Sequence, residues 1–132
     1  MRREGWEIRL AEALTAAAHR PFRWGVHDCA TWAFDLRAGL RGEASPADAW
    51  RGRYKTPIGA VRVMKRLGWP SLPAAGIALL GQPLPHVLLA QRGDIVFSAE
   101  AFGICEGAQV AFVAPDGLRR LRLRDCAMAW RV

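Results

Sequence analysis

Among the reactive side chains of this 132-residue chain, Cys29 has the most suggestive neighbours. It follows Asp28 in the segment FRWGVHDCATWAFD. Aspartate is a strong helix N-cap, so Cys29 should sit in the first turn of a helix running to Leu40. Unpaired backbone N–H groups and the helix dipole there favour a thiolate over a thiol. A nucleophilic cysteine needs such an environment. The charge of Asp28 next door works against it, and a small buried thiol is the alternative reading of the same residue.

A thiolate nucleophile works with a base within hydrogen-bond reach. The chain has three histidines. His19 falls at the C-terminal end of the first helix, where a basic side chain suits the dipole. His27 lies two residues before Cys29 in the same loop, and His86 opens a strand-like segment far away in sequence. His27 and His86 are therefore the two base candidates, each also readable as an ordinary loop or strand-end histidine. The three cysteines, Cys29, Cys105 and Cys126, include no CxxC pair and are too few for a zinc ribbon. Neither a metal site nor a cofactor is expected.

These residues need a scaffold, and its elements fall in two groups. Residues 5–19 form a helix with Trp6, Leu10, Leu14 and Ala17 (or Ala13) at helical spacing, ended by His19-Arg20-Pro21. Cys29 to Leu40 turns Trp32, Leu36 and Leu40 inward. Ser45-Pro46 and Thr56-Pro57 each pair a cap with proline at the first helical position. The second opens a helix to about Leu67, with Ile58, Val61, Met64 and the stem of Lys65 facing in and Gly68 just past its end. Residues 71–80 make one more short helical segment. After Pro85 the pattern changes. His86 to Ala90 is a short apolar run, and Asp94 to Ser98 is a strand. Gly103 to Glu106 and Gln109 to Ala114 form a hairpin around Gly107. Leu118 to Arg124 alternates leucine with arginine as a half-buried strand after the turn Pro115-Asp116-Gly117. Ala127 to Val132 closes the chain on Trp130. Helices first and antiparallel strands last give an α+β fold, read as one domain over 1–132, helical over 1–80 and mostly strand over 86–132.

Composition narrows the classes. Hydrophobic residues are 52% and charged residues 23%, which is globular rather than disordered. The net charge is +7, and all basic residues except Lys55 and Lys65 are arginine. The stretch of residues 71–91 is without formal charge but contains Pro73, Pro83 and Pro85, so no membrane span is expected. The basic start MRREGWEIRLAEAL carries Glu7, Arg9 and Glu12, which break up any apolar signal region. Synthesis in a reducing cytosol follows. The arginines are spread along the chain rather than interleaved with aromatics on one face, so nucleic acid is not the expected partner. Their densest group puts Arg120, Arg122 and Arg124 on one face of a strand, either as a solvated edge or as a contact stripe for an acidic protein. Of six tryptophans, Trp6, Trp32 and Trp130 fit the core by periodicity. Trp24 precedes the cysteine loop and is placed to wall a cleft; Trp50 and Trp69 follow helix ends as core or docking residues.

FRWGVHDCATWAFD followed by RGDIVF resembles the NlpC/P60 family of papain-like cysteine peptidases. More narrowly, the chain resembles a small uncharacterised family from tail gene clusters of tailed bacteriophages and gene-transfer agents. The pieces that carry this are Trp24-Gly25, Asp28-Cys29-Ala30, Arg51-Gly52-Arg53-Tyr54, Arg92-Gly93-Asp94, Gly103-Ile104-Cys105-Glu106-Gly107 and Trp130-Arg131-Val132. The resemblance implies a papain-like fold, with N-terminal helices packed on a small C-terminal antiparallel sheet. For active relatives it implies hydrolysis of peptidoglycan stem peptides through a thioacyl intermediate, with a histidine base opening the strand after the Gly-Asp strand. Aligning Gly103-Ile104 with that strand puts Ala101 in the histidine slot and Phe102 beside it. Gln109 is the nearest counterpart of the third polar residue. Losing the base lowers the rate by about 10²–10⁴ for proton transfer alone.

The expectation is therefore a structural component of a phage tail tip or baseplate. It would be located on the virion tail, dock to other tail proteins and retain Cys29 as a vestigial nucleophile. Trp24, Asp28 and the arginine stripe would be its binding residues. The alternative is an active endopeptidase on peptidoglycan, with Cys29 attacking and His86 or His27 as base.

Overall fold

Capping residues start three of the four helices. Asp28, Thr56 and Ser71 each accept a hydrogen bond from a backbone N–H in the first turn they precede. The computed structural model describes residues 1–132 and gives α1 Trp6–His19, α2 Cys29–Arg41, α3 Pro57–Arg66 and α4 Leu72–Leu80. Gly5 opens α1 without a side-chain cap. Pro46–Ala49 is a single 3₁₀ turn capped by Ser45.

The strands are β1 Ile95–Ser98, β2 Ala101–Cys105, β3 Gln109–Ala114, β4 Gly117–Arg122 and β5 Met128–Trp130. They form one antiparallel sheet in the order β4-β3-β2-β1-β5. The fold is thus α+β: four helices and a five-stranded antiparallel sheet. No helix is long and apolar enough to cross a membrane.

Alternation along β1 divides the core between the sheet's faces. Ile95 and Phe97 join the larger cluster with Phe102, Ile104, Trp130 and the buried faces of α1 and α2. Val96 joins a smaller cluster with Cys105, Val110, Phe112, Leu123 and Cys126. Edge-to-face rings cross the larger cluster. Trp69 meets Trp50 at 5.9 Å, Trp50 meets Phe34 at 5.6 Å, and Phe34 meets Phe102 at 5.2 Å. Trp50, which the sequence left between core and docking, is core.

Four local readings change. His86–Ala90 is no strand: His86 caps the 3₁₀ turn Val87–Leu89, and its Nδ1 accepts from the Leu88 N–H at 3.1 Å. The expected half-buried strand 118–124 is an exposed edge strand that ends at Arg122, with Leu121 38% exposed. Arg124 lies beyond it in a 3₁₀ turn. On α3, Val63 and Met64 are buried, whereas Ile58 and Val61 are 67% and 53% exposed.

Two details matter for the site. The β1–β2 hairpin turns on Ala99 and Glu100, with φ of 50° and 61°. Such a mirror-image two-residue turn suits Asn-Gly. A residue with a Cβ in the left-handed region costs roughly 1–2 kcal/mol. The other detail is Asp94, whose side chain is wholly buried. Its carboxylate accepts from the backbone N–H groups of Gln91 and Val132 at 2.8 and 2.9 Å and from the Arg2 guanidinium at 2.9 Å. It ties both chain ends to the start of β1. Asp94→Ala would strand these donors in the interior. Urea unfolding should show a loss of about 3 kcal/mol, where a surface aspartate changed to alanine should lose less than about 0.5 kcal/mol.

Candidate functional site

The cysteine is positioned by a tight loop braced from three sides. Arg23 and His27 exchange backbone hydrogen bonds across it. Gly25 has a φ of 78°, and a Cβ there would lie 2.5 Å from the Tyr54 carbonyl oxygen, so both conformation and contact demand glycine. Asp28 holds the brace together. One carboxylate oxygen accepts from Thr31 N–H at 2.9 Å; the other accepts from Gly25 N–H at 2.8 Å and from the Tyr54 hydroxyl. Gly52 N–H donates to the Gly25 carbonyl at 2.9 Å. Arg51 forms a two-pronged pair with Asp35 of α2, at 2.7 and 2.8 Å. Burial raises the Asp35 carboxyl, but the hydrogen bonds from Arg51 and Ser45 outweigh it and hold the group below the usual range. The Arg51-Gly52-Arg53-Tyr54 segment is thus the outer brace of the cysteine loop.

Cys29 opens α2 as the sequence predicts and lines a cleft of about 400 Å³. Trp24, Tyr54, Val61, Met64, Trp69 and Leu72 supply much of its wall, and Glu100 from the strained hairpin stands at it. The exposure of Val61 follows: it faces the cleft rather than the core.

The thiol is neutral at physiological pH. Burial pushes it up to about 11; the backbone N–H groups of Phe102, Ala30 and Cys29 pull it down, and the Asp28 charge adds to the rise. Tyr54 is likewise raised, by burial and then by Asp28. Cys105 and Cys126 are buried thiols raised by desolvation.

The structure brings neither candidate base to Cys29. His27 is 1% exposed and lines a separate groove between α1 and α2 with Arg9, Glu12 and Arg20. Neither of its ring nitrogens has a hydrogen-bond partner, the cysteine sulfur included. His86 is spent on capping its own turn. Ala101 does open β2, and Phe102 follows it against the cysteine. Gln109 opens β3 opposite Arg122, away from the cleft lining. No group of three or more metal-ligating side chains comes together.

Of the other predicted binding residues, Trp24 walls the cleft as expected, and Asp28 lies beneath it as a brace. The arginine stripe is matched from within the chain. Arg120 pairs with Glu106 at 2.8 Å and Arg122 with Asp125 at 2.9 Å, which leaves Arg124 outside the strand. Sequence reasoning missed Tyr54 and Glu100 as site residues. Tyr54 had two signals, being the only tyrosine and the last residue of the Arg51-Gly52-Arg53-Tyr54 motif. Glu100 had none, because nothing in Ala-Glu announces a hairpin tip.

Residues 1–132 match a family described as a domain of unknown function, DUF6950. The chain belongs to the DUF6950 family. No curated protein matches it, and no solved structure does.

One liability of this DUF6950 chain is measurable. Burial lowers the pKa of His27 below 6.5, Arg20 lowers it further, and Asp28 opposes both. The folded state therefore refuses a proton that the unfolded state accepts, and stability falls as pH drops below 6.5. Urea unfolding between pH 7 and pH 5.5 should show this loss. His27→Phe should flatten the profile and, by removing two unpartnered buried nitrogens, raise stability by about 1 kcal/mol. An unchanged pH slope in the variant would sink the assignment.

Proposed function

We propose that this protein is a structural component of a tailed-phage or gene-transfer-agent tail tip or baseplate, located on the virion tail. In this reading it is built on an NlpC/P60-like, papain-type scaffold whose hydrolase site has degenerated, and it works by docking other tail proteins. The observation that carries the proposal is a cysteine at the head of α2, facing a cleft, with a neutral thiol and no imidazole bonded to it. The helix head and the adjoining strand match the layout expected of such a scaffold. Alanine at position 101 accounts for the missing base. A thiol near 11 leaves about one part in 10⁴ as thiolate at pH 7. The tail setting rests on the run of short motifs from Trp24-Gly25 to Trp130-Arg131-Val132.

The apolar rim supports docking. Val61 and Ile58 lie exposed on α3, beside a cleft with tryptophan walls.

One observation favours the endopeptidase reading. Cys29 stands in the first turn of α2, where backbone N–H groups have no helical partners and would also serve an oxyanion. The two readings part on chemistry. Purified protein incubated with peptidoglycan should release no new peptide ends by mass spectrometry. Cys29→Ala should leave tail assembly intact, and Val61→Asp should prevent incorporation into particles. Alkylation of Cys29 by iodoacetamide should still be accelerating at pH 9, without the plateau of a low-pKa thiolate. Muropeptide release that Cys29→Ala abolishes would overturn the proposal.

A further inference from the structure

The cleft carries a sign of charge opposite to that of the chain around it. Its fourteen lining residues include no lysine, arginine or histidine, in a protein of net charge +7. Two carboxylates line it. Asp28 is 1% exposed and already accepts from two backbone N–H groups and the Tyr54 hydroxyl. Glu100 is exposed, makes no hydrogen bond or ion pair within the chain, and remains free to bind. Most other carboxylates are committed: Asp35, Glu43, Asp48, Asp94, Glu106, Asp116 and Asp125 all pair with arginine.

The placement of Glu100 is also forced. It sits at φ 61°, directly after Ala99 at φ 50°, in a hairpin tip that glycine or asparagine would fill with less strain. Strain held at the mouth of a cleft points toward function rather than stability. Around it stand the half-buried rings of Trp24 and Trp69, whose faces attract cations, and the buried ring of Tyr54. A volume of about 400 Å³ lies within the range of ligand pockets, ~300–1,000 Å³.

We infer that the Cys29 cleft receives an extended peptide segment of another protein, through an arginine or lysine side chain that pairs with Glu100 between the tryptophan rings while apolar neighbours cover Val61 and Met64. This deepens the docking reading and rests on it. It supplies what that reading lacks, namely the chemistry of the segment that docks. The cysteine takes no covalent part.

The test uses the full chain and a panel of fluorescein-labelled heptapeptides, acetylated and amidated at their ends. Each has leucine and alanine flanks and a central arginine, lysine, norleucine or glutamate. Fluorescence anisotropy should rank arginine and lysine about tenfold tighter than norleucine, with glutamate weakest. Amide and indole resonances of Trp24, Trp69 and Glu100 should shift on titration. Glu100→Gln should erase the preference for the basic peptides while leaving norleucine binding in place. Glu100→Gly should do the same and raise the melting temperature, because it relieves the turn.

Several results would overturn the inference. Equal binding of all four peptides would leave an apolar dock and remove the cation. A basic preference that survives Glu100→Gln would place the anion elsewhere. Absence of binding by any peptide, or concentration-dependent self-association abolished by Glu100→Gln, would replace the foreign segment by nothing or by a second copy. None of these outcomes touches the peptidoglycan assay, so the non-hydrolytic reading stands or falls separately.

Discussion

The Asp28 carboxylate, buried under the cysteine loop, is the constraint on which the site depends. It reads as a helix cap, and it is one: Thr31 N–H donates to it. Its second oxygen does the larger job. There it collects Gly25 N–H from the loop and the Tyr54 hydroxyl from twenty-six residues downstream. Hydrogen bonds to a charged acceptor are worth about 1.5–3 kcal/mol each. A single ion thus fixes the loop, the head of α2 and one wall of the cleft against one another. Trp50, whose indole N–H donates to the Thr31 hydroxyl at 3.1 Å, extends the same brace into the core.

That brace also decides the state of the thiol. A helix start offers the sulfur N–H groups and a favourable dipole, and the sequence argues for a reactive cysteine on that basis. Three N–H groups do act on it. Yet the sulfur is half-buried at the cleft, which costs a thiolate its hydration, and the Asp28 charge that builds the helix head repels it. The net displacement from 9.0 to about 11 corresponds to about 3 kcal/mol against ionisation. An imidazolium beside the sulfur would oppose this; alanine at the head of β2 supplies nothing. At this helix head burial and the Asp28 charge outweigh the N–H groups, and the sulfur stays a thiol.

Legibility followed physical locality. Caps are local, so Asp28, Ser45 and Thr56 announced the elements they open within a residue or two. Turn chemistry is local, so Pro115-Asp116-Gly117 marked the β3–β4 hairpin. Burial is not local. The apolar spacing of Ile58 and Val61 implied a covered face, but Ile58 lies in solvent and Val61 at the cleft. The run after His86 looked like a strand because apolarity does not distinguish a strand from a 3₁₀ turn carrying exposed Leu88 and Leu89. Leucine-arginine alternation suggested one buried face on β4, whereas edge position and acid partners three to fourteen residues away left it on the surface. The Ala99-Glu100 tip was illegible because its backbone conformation opposes the preferences of its own residues.

The two aspartates that stand out in the sequence share one logic, and it bears on how such motifs are read. Asp94, in Arg92-Gly93-Asp94, and Asp28, before the cysteine, both invite a catalytic interpretation. Both lie in the interior and direct their oxygens at backbone N–H groups that no sheet or helix would satisfy: Gln91 and Val132 for one, Gly25 and Thr31 for the other. An unpaired buried N–H is costly, and a carboxylate can satisfy several at once. A glycine shortly before each aspartate, three residues before Asp28 and one before Asp94, lets the chain turn tightly there, with φ of 78° at Gly25 and 89° at Gly93. Such a glycine-aspartate pattern is therefore a folding device first. The unpaired carboxylate at the cleft is one that no motif contains: Glu100, held there by a strained turn.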